Sequence, residues 1–323
     1  MKELILFSQA PADIQYILAL YNKNKNDYRV TIVVVNVFNS FKFFNSLNLN
    51  AEIKFIPIVG QGKIIKFLKF SIELRNIYQD IFANISDAKV YFFANNYDYV
   101  SAYCIEKLMK SNTIYFYNIY KIDGNVIVGL SAILKSFLTK ILFGINIKFF
   151  KIADTYAYQY LYNKNKVIEL ELKVEENELE EYKYKIAKND NNKKNLLFFE
   201  SNGQLDKSFK NYEEDVKFIM DKLIAKYNIY IKPHPRLGYS NILVQYNINL
   251  IDEYIPSELV NMDAFDMVLG IDSTSIATSQ HHNKYSLINL FEFSDEKRQV
   301  YLINYLNKLS DDKLPYIDNV NEF

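Results

Sequence analysis

A chain of 323 residues, half of them apolar and including 27 Tyr and 24 Phe, is long enough for two domains of about 150 residues and has a globular rather than a disordered composition. Its 38 Lys and Arg balance 38 Asp and Glu, yet residues 1–150 carry 17 basic against 10 acidic side chains and residues 151–323 carry 21 against 28. Neither half is basic enough for a nucleic-acid-binding domain, although the first suits an anionic ligand or membrane face. The single cysteine, Cys104, rules out a disulfide framework and fits a reducing compartment.

In chain order, residues 3–8, 29–36, 52–57, 88–94 and 112–119 are apolar runs rich in Val, Ile, Phe and Tyr, without clean alternation. Strands buried on both faces have that pattern. Residues 12–22, 63–84 and 97–109 have helical periodicity, so β and α elements alternate and a parallel, doubly wound sheet is expected. The first apolar run is too short for a signal segment, and no run reaches the roughly 18 residues of a membrane span. The expectation is a soluble cytoplasmic protein.

The pattern breaks at the charged stretch 163–194, which reads as a connector between an N-terminal domain, 1–162, and a C-terminal domain, 195–323. Beyond it the alternation restarts, with strands at 195–201, 229–235, 248–252, 266–270 and 285–290 and helices at 211–226, near 256–262, from 274 and at 295–308. The fold class expected is therefore α/β, with two Rossmann-like domains facing a central cleft.

Ligands of parallel sheets gather at the carboxyl ends of the strands, and several polar residues fall there. His234 follows an apolar run and is framed by Pro233 and Pro235, which restrict the backbone on both sides. It reads either as an oriented catalytic side chain or as a strand-end cap. Ser273, Thr274 and Ser275 open a helix after Gly270; one hydroxyl makes a cap, whereas three suit a phosphate, with no metal required. Glu258, just after Pro256, either favours a helix dipole or accepts hydrogen bonds from ribose hydroxyls. Asp123, before Gly124, is either a turn residue or a general base. Asn202 and Gly203 are either a plain turn or a loop whose backbone N–H groups approach a donor phosphate or carboxylate.

Taken in order, Ile122-Asp123-Gly124, Lys232-Pro233-His234-Pro235, Ile255-Pro256-Ser257-Glu258 and Asp272-Ser273-Thr274-Ser275 resemble the motifs of bacterial lipooligosaccharide sialyltransferases and polysialyltransferases. That resemblance implies the GT-B fold and inverting, metal-independent transfer of sialic acid from a CMP-activated donor to a cell-surface glycan, with no cofactor. It implies that Asp123 deprotonates the acceptor and His234 assists the departing phosphate. Ser273, Thr274 and Ser275 would hold that phosphate, Glu258 the ribose, and Lys232 would add positive charge nearby. Gln9 and Asp13, in the first loop, would face the acceptor. The chain departs from the pattern in having Ile122 in place of an acidic partner to Asp123, and Ser-Thr-Ser where a serine pair is usual.

A CDP-glycerol-type glycerophosphotransferase is the alternative, weakened because no histidine precedes His234. A non-catalytic nucleotide-sugar-binding protein is the other. Residues 131–151 carry an apolar helical stripe that suits either core or a peripheral membrane contact, and His281 and His282 read as structural.

Overall fold

The computed structural model describes residues 2–58, 64–93, 99–117, 126–144, 148–152, 158–161, 167–186, 193–201, 203, 207–235 and 237–322. The chain divides into two compact units, Met1–Glu181 and Tyr182–Phe323.

The first unit alternates β1 (Lys2–Ser8), α1 (Ile14–Asn24), β2 (Tyr28–Val35), α2 (Phe38–Ser46), β3 (Ala51–Ile56), α3 (Ile64–Phe82), β4 (Lys89–Phe92), α4 (Tyr99–Leu108) and β5 (Thr113–Tyr117). Its sheet runs β3-β2-β1-β4-β5-β9, where β9 is Val167–Leu170, and every pairing is parallel. Leu4, Ile5, Leu6 and Phe7 of β1 are all buried, which is why that strand reads as a continuous apolar run. Cross-strand aromatic pairs hold β4 to β5: Phe92 stacks on Phe116 and Tyr91 on Tyr115, each with ring centroids 4.7 Å apart. Helix α2 has no counterpart among the expected elements. Its Asn, Ser and Phe are modest helix formers, and burial of Phe43 and Phe44 holds it in place of propensity.

A three-stranded antiparallel sheet, β6 (Val126–Ile127), β7 (Lys148–Ile152) and β8 (Tyr158–Leu161), accompanies α5 (Leu130–Phe143). The helical stripe expected over 131–151 stops at Gly144, which takes φ +66° and donates its N–H to Lys140 O, a left-handed cap open to glycine. Within 163–194, expected as connector, Val167–Leu170 is sheet rather than linker; as the edge strand beside β5 it tolerates the charges that disguised it.

The second unit contains β10 (Lys194–Phe199), α6 (Tyr212–Leu223), β11 (Tyr227–Lys232), β12 (Asn249–Leu250), β13 (Met267–Gly270), α7 (Thr274–Thr278), β14 (Lys284–Ser286) and α8 (Glu296–Leu309). All its pairings are parallel, in the order β12-β11-β10-β13-β14. Both units are thus Rossmann-like, as the alternation indicates. The helix expected near 256–262 is replaced by two 3₁₀ turns, Ser257–Leu259 and Met262–Ala264, the second capped by the Asn261 side chain accepting from Asp263 N.

In the first unit, the loop after β1 folds around Asp13, whose Oδ2 accepts from the backbone N–H of Gln9 at 2.6 Å and of Ala10 at 2.8 Å. Asp13 is fully buried; neither its Oδ1 nor Ser8 Oγ has a hydrogen-bond partner among the described residues. Desolvation raises the Asp13 carboxyl from 3.8 to about 7, against the two backbone hydrogen bonds that lower it. Between those two values the folded chain keeps a proton that the unfolded chain has released, so stability falls as pH rises from 3.8 to about 7. We expect Asp13→Asn to remove this slope, the wild type losing on the order of 4 kcal/mol relative to the variant across that window. Urea unfolding of both proteins from acid to neutral pH measures it; parallel curves would show that Asp13 titrates like an exposed carboxylate.

Candidate functional site

Phe199 of β10 is in register with Lys232 of β11 and with Gly270 of β13, and Gly270 with Ser286 of β14. Because the strands are parallel, the segments that follow these four residues leave the sheet at one edge. The order reverses between β10 and β13, the place where such sheets hold ligands. Sheet spacing puts the loops after β11 and β13, two strands apart, about 10 Å from each other.

The loop after β11 is a closed turn. His234 and Gly238 exchange two backbone hydrogen bonds of 2.9 Å, and Gly238 takes φ +69°, a conformation costly to a residue with a Cβ. Inside the turn, the N–H of Leu237 donates to His234 Nδ1 at 3.1 Å. An Nδ1 that accepts must be unprotonated, so the neutral ring carries its proton on Nε2 and donates from there. The two prolines therefore share the task of orienting His234 with Gly238 and Leu237, and Pro235 forms part of the turn itself.

Lys232, the last residue of β11, is buried. Its Nζ donates to Pro233 O at 3.1 Å and Glu253 O at 3.3 Å, so the ammonium ties the His234 turn to the segment leading to Pro256. Burial lowers its pKa from 10.5 to about 8, while the Glu258, Glu253 and Asp252 carboxylates pull it back up.

That segment meets the hydroxyl cluster directly. Ser275 Oγ donates to Ser257 Oγ at 2.8 Å, and Ser257 Oγ donates to Glu258 Oε2 at 3.1 Å, a relay joining the two motifs through a side chain given no role from the sequence. Ser273 Oγ caps α7 by accepting from Ser275 N at 3.3 Å, and Thr274 is exposed. Helix α7 has only five residues and Glu258 sits in a three-residue turn, so neither owes its position to a macrodipole. What gathers here is hydroxyls, a carboxylate and a buried cation. Close packing brings α7 to the strand: a Cβ on Gly270 would lie 3.2 Å from Ile276.

Glu200, at the end of β10, is buried; it accepts from the Tyr212 hydroxyl and, at 2.6 Å, from Ser240 Oγ, linking α6 to the segment that follows Gly238. Burial and the Glu200 charge push the Tyr212 phenol well above its ordinary value, so it remains a donor. Ser201 Oγ, next along, is buried with no hydrogen-bond partner among the described residues. Glu200, Ser201, Tyr212, Ser240 and Ser257 carry no role in the sequence patterning; Glu200 and Ser201 are marked there only as polar residues after a buried strand, and Ser257 only as the neighbour of Glu258 in its motif. Gly203 packs on aromatic rings, since a Cβ there would lie 2.5 Å from Tyr212 and 2.6 Å from Phe209.

Asn202 and Asp123 lie outside the described residues. Gln9 and Asp13 belong to the first unit's loop described above and are not among these second-unit residues. His281 Nε2 lies 3.0 Å from Phe265 O and its Nδ1 accepts from Asn283 N, a structural role; Cys104 is buried. Among the described residues no group of three or more His, Cys, Asp or Glu could hold a metal ion.

No family model matches the chain, and no curated protein does. Solved structures similar to it include the glycosyl transferase family 9 protein from Veillonella parvula, at 12% identity and TM-score 0.42, covering 88% of this chain and 80% of that one. The UDP-GlcNAc 2-epimerase from Methanocaldococcus jannaschii is similar at 14% identity and TM-score 0.42, covering 98% and 95%. The ADP-heptose heptosyltransferase II of E. coli is similar at 12% identity and TM-score 0.34, covering 96% and 100%.

Proposed function

We propose that the chain is an inverting, metal-independent glycosyltransferase that moves a sialic acid, or a related nonulosonic acid, from a CMP-activated donor to a cell-surface glycan. The observation that carries this reading is the Ser275–Ser257–Glu258 relay. It joins two of the motifs that resemble those of bacterial sialyltransferases, while Lys232 ties the third, with His234, to the same segment.

In this reading Glu258 accepts hydrogen bonds from the ribose, and Ser273, Thr274 and Ser275 donate to the phosphate. Asp123 takes the proton of the acceptor hydroxyl, whose oxygen forms the new bond to the anomeric carbon. The bond from that carbon to the phosphate oxygen breaks, and CMP departs with its electron pair. The Nε2–H of His234 stabilises the charge gathering on the phosphate, helped by the Lys232 ammonium. No metal enters these steps, so turnover should persist in EDTA; a loss restored by magnesium would overturn this part.

Thermal unfolding with CMP, CDP, UDP and ADP tests the donor. A ligand that binds only the native state raises the melting temperature by mass action, and CMP alone should do so appreciably. Glu258→Ala should then weaken CMP binding by roughly 10- to 150-fold, the worth of a charge-assisted hydrogen bond. A shift with UDP or ADP and none with CMP would replace the donor assignment.

His234→Ala and Asp123→Ala should each cut turnover by roughly 10²- to 10⁴-fold. Rate measurements on donors with better leaving groups separate the roles. The His234 variant should be partly rescued and the Asp123 variant should not; equal responses would remove His234 from the phosphate.

A further inference from the structure

Helix α5 is turned inside out for a water-soluble surface. Ala132, Thr139 and Phe143 face inward, with Phe143 packed on the rings of Tyr99 and Tyr103. At about 100° per residue, the opposite side carries Leu130, Ile133, Leu134, Phe137, Leu138 and Ile141, and all six are exposed, Leu130 by 87% and Phe137 by 58%. Ile127 and Val128, just before the helix, are exposed as well. Single exposed apolar residues need no explanation, but a contiguous stripe on the face away from the core marks a contact surface.

The charges say what kind of contact. Residues 125–153 contain Lys135, Lys140, Lys148 and Lys151 and no Asp or Glu. Lys140 is exposed, and its helical position lies at the margin of the apolar stripe. A second copy of the chain packed face to face would bring lysines against lysines. A bilayer with anionic headgroups presents the complementary arrangement, apolar beneath and negative at the rim. The helix has 14 residues, and no helix among the described residues is long and apolar enough to cross a membrane.

We propose that α5 is a membrane-surface helix, its Leu130–Ile141 face entering the headgroup boundary of an anionic lipid bilayer and Lys140 meeting the lipid phosphates. This holds independently of the donor assignment, because it draws on no residue of the second unit.

Co-sedimentation of the whole chain with vesicles tests it, using phosphatidylcholine alone and phosphatidylcholine mixed with phosphatidylglycerol. We expect binding to the mixed vesicles, weakened by salt. The double variant Leu134→Ser, Phe137→Ser should bind them at least roughly tenfold more weakly. Lys140→Glu should cost roughly fivefold or more on mixed vesicles and little on phosphatidylcholine. Both changes are at exposed positions, and an unchanged melting temperature confirms that each variant is folded. Wild type that ignores both kinds of vesicle overturns the proposal. So does a dimer in light scattering that the double variant converts to monomer, which would assign the face to a second copy.

Discussion

The candidate site is organised by one buried ammonium. Lys232 ends β11 below the surface of the second unit, where an unpaired charge would cost several kcal/mol. Its two carbonyl partners lie on either side of the β12 strand in sequence, Pro233 before it and Glu253 after it, so satisfying this charge fixes the exit of one segment and the entry of another. His234 rides on the first and the Pro256–Glu258 turn follows the second. The charge is retained to about pH 8 because Glu258, Glu253 and Asp252 oppose the desolvation. The hydrogen bonds of Lys232 are spent on the backbone, so whatever charge it adds near a phosphate, it is also a positioning residue.

A buried carboxylate does comparable work at the first strand of each unit, by different chemistry. Asp13, after β1, accepts from two backbone N–H groups of its own loop. Glu200, after β10, accepts from hydroxyls of Tyr212 and Ser240, which come from other segments. The first is a local clasp; the second holds α6 and the His234 region to the strand. With only backbone hydrogen bonds to oppose it among the described residues, burial dominates and raises the Asp13 carboxyl to about 7.

The two sheets were legible because parallel strands buried on both faces give largely apolar runs without polar alternation, as in residues 29–36 and 266–270. What escaped was held by contacts distant in sequence. Helix α2 depends on Phe43 and Phe44 finding the core. Strand β9 looks like connector because Glu169 sits within it, and an edge position permits that. The end of α5 is set by Gly144, a single residue whose left-handed conformation decides where the apolar stripe stops being helix. At the site, the motifs were visible as separate short strings. Their joining by Ser257 was not, since a 2.8 Å bond between residues 18 apart in the chain leaves no periodicity behind.

The same distinction separates what the His234 motif announces from what it does. Two prolines around a histidine suggest restraint, but restraint of the backbone alone leaves the ring free to present either nitrogen. The Leu237 N–H decides it by occupying Nδ1. A ring that accepts there and donates from Nε2 is neutral, so under the proposed function it would offer an anionic leaving group a directed hydrogen bond rather than a charge. Lys232, two residues earlier and buried, brings a positive charge to this region, where water screens it little. Donor and cation are thus divided between residues two apart in the chain, Lys232 buried and His234 partly buried in the turn closed by Gly238.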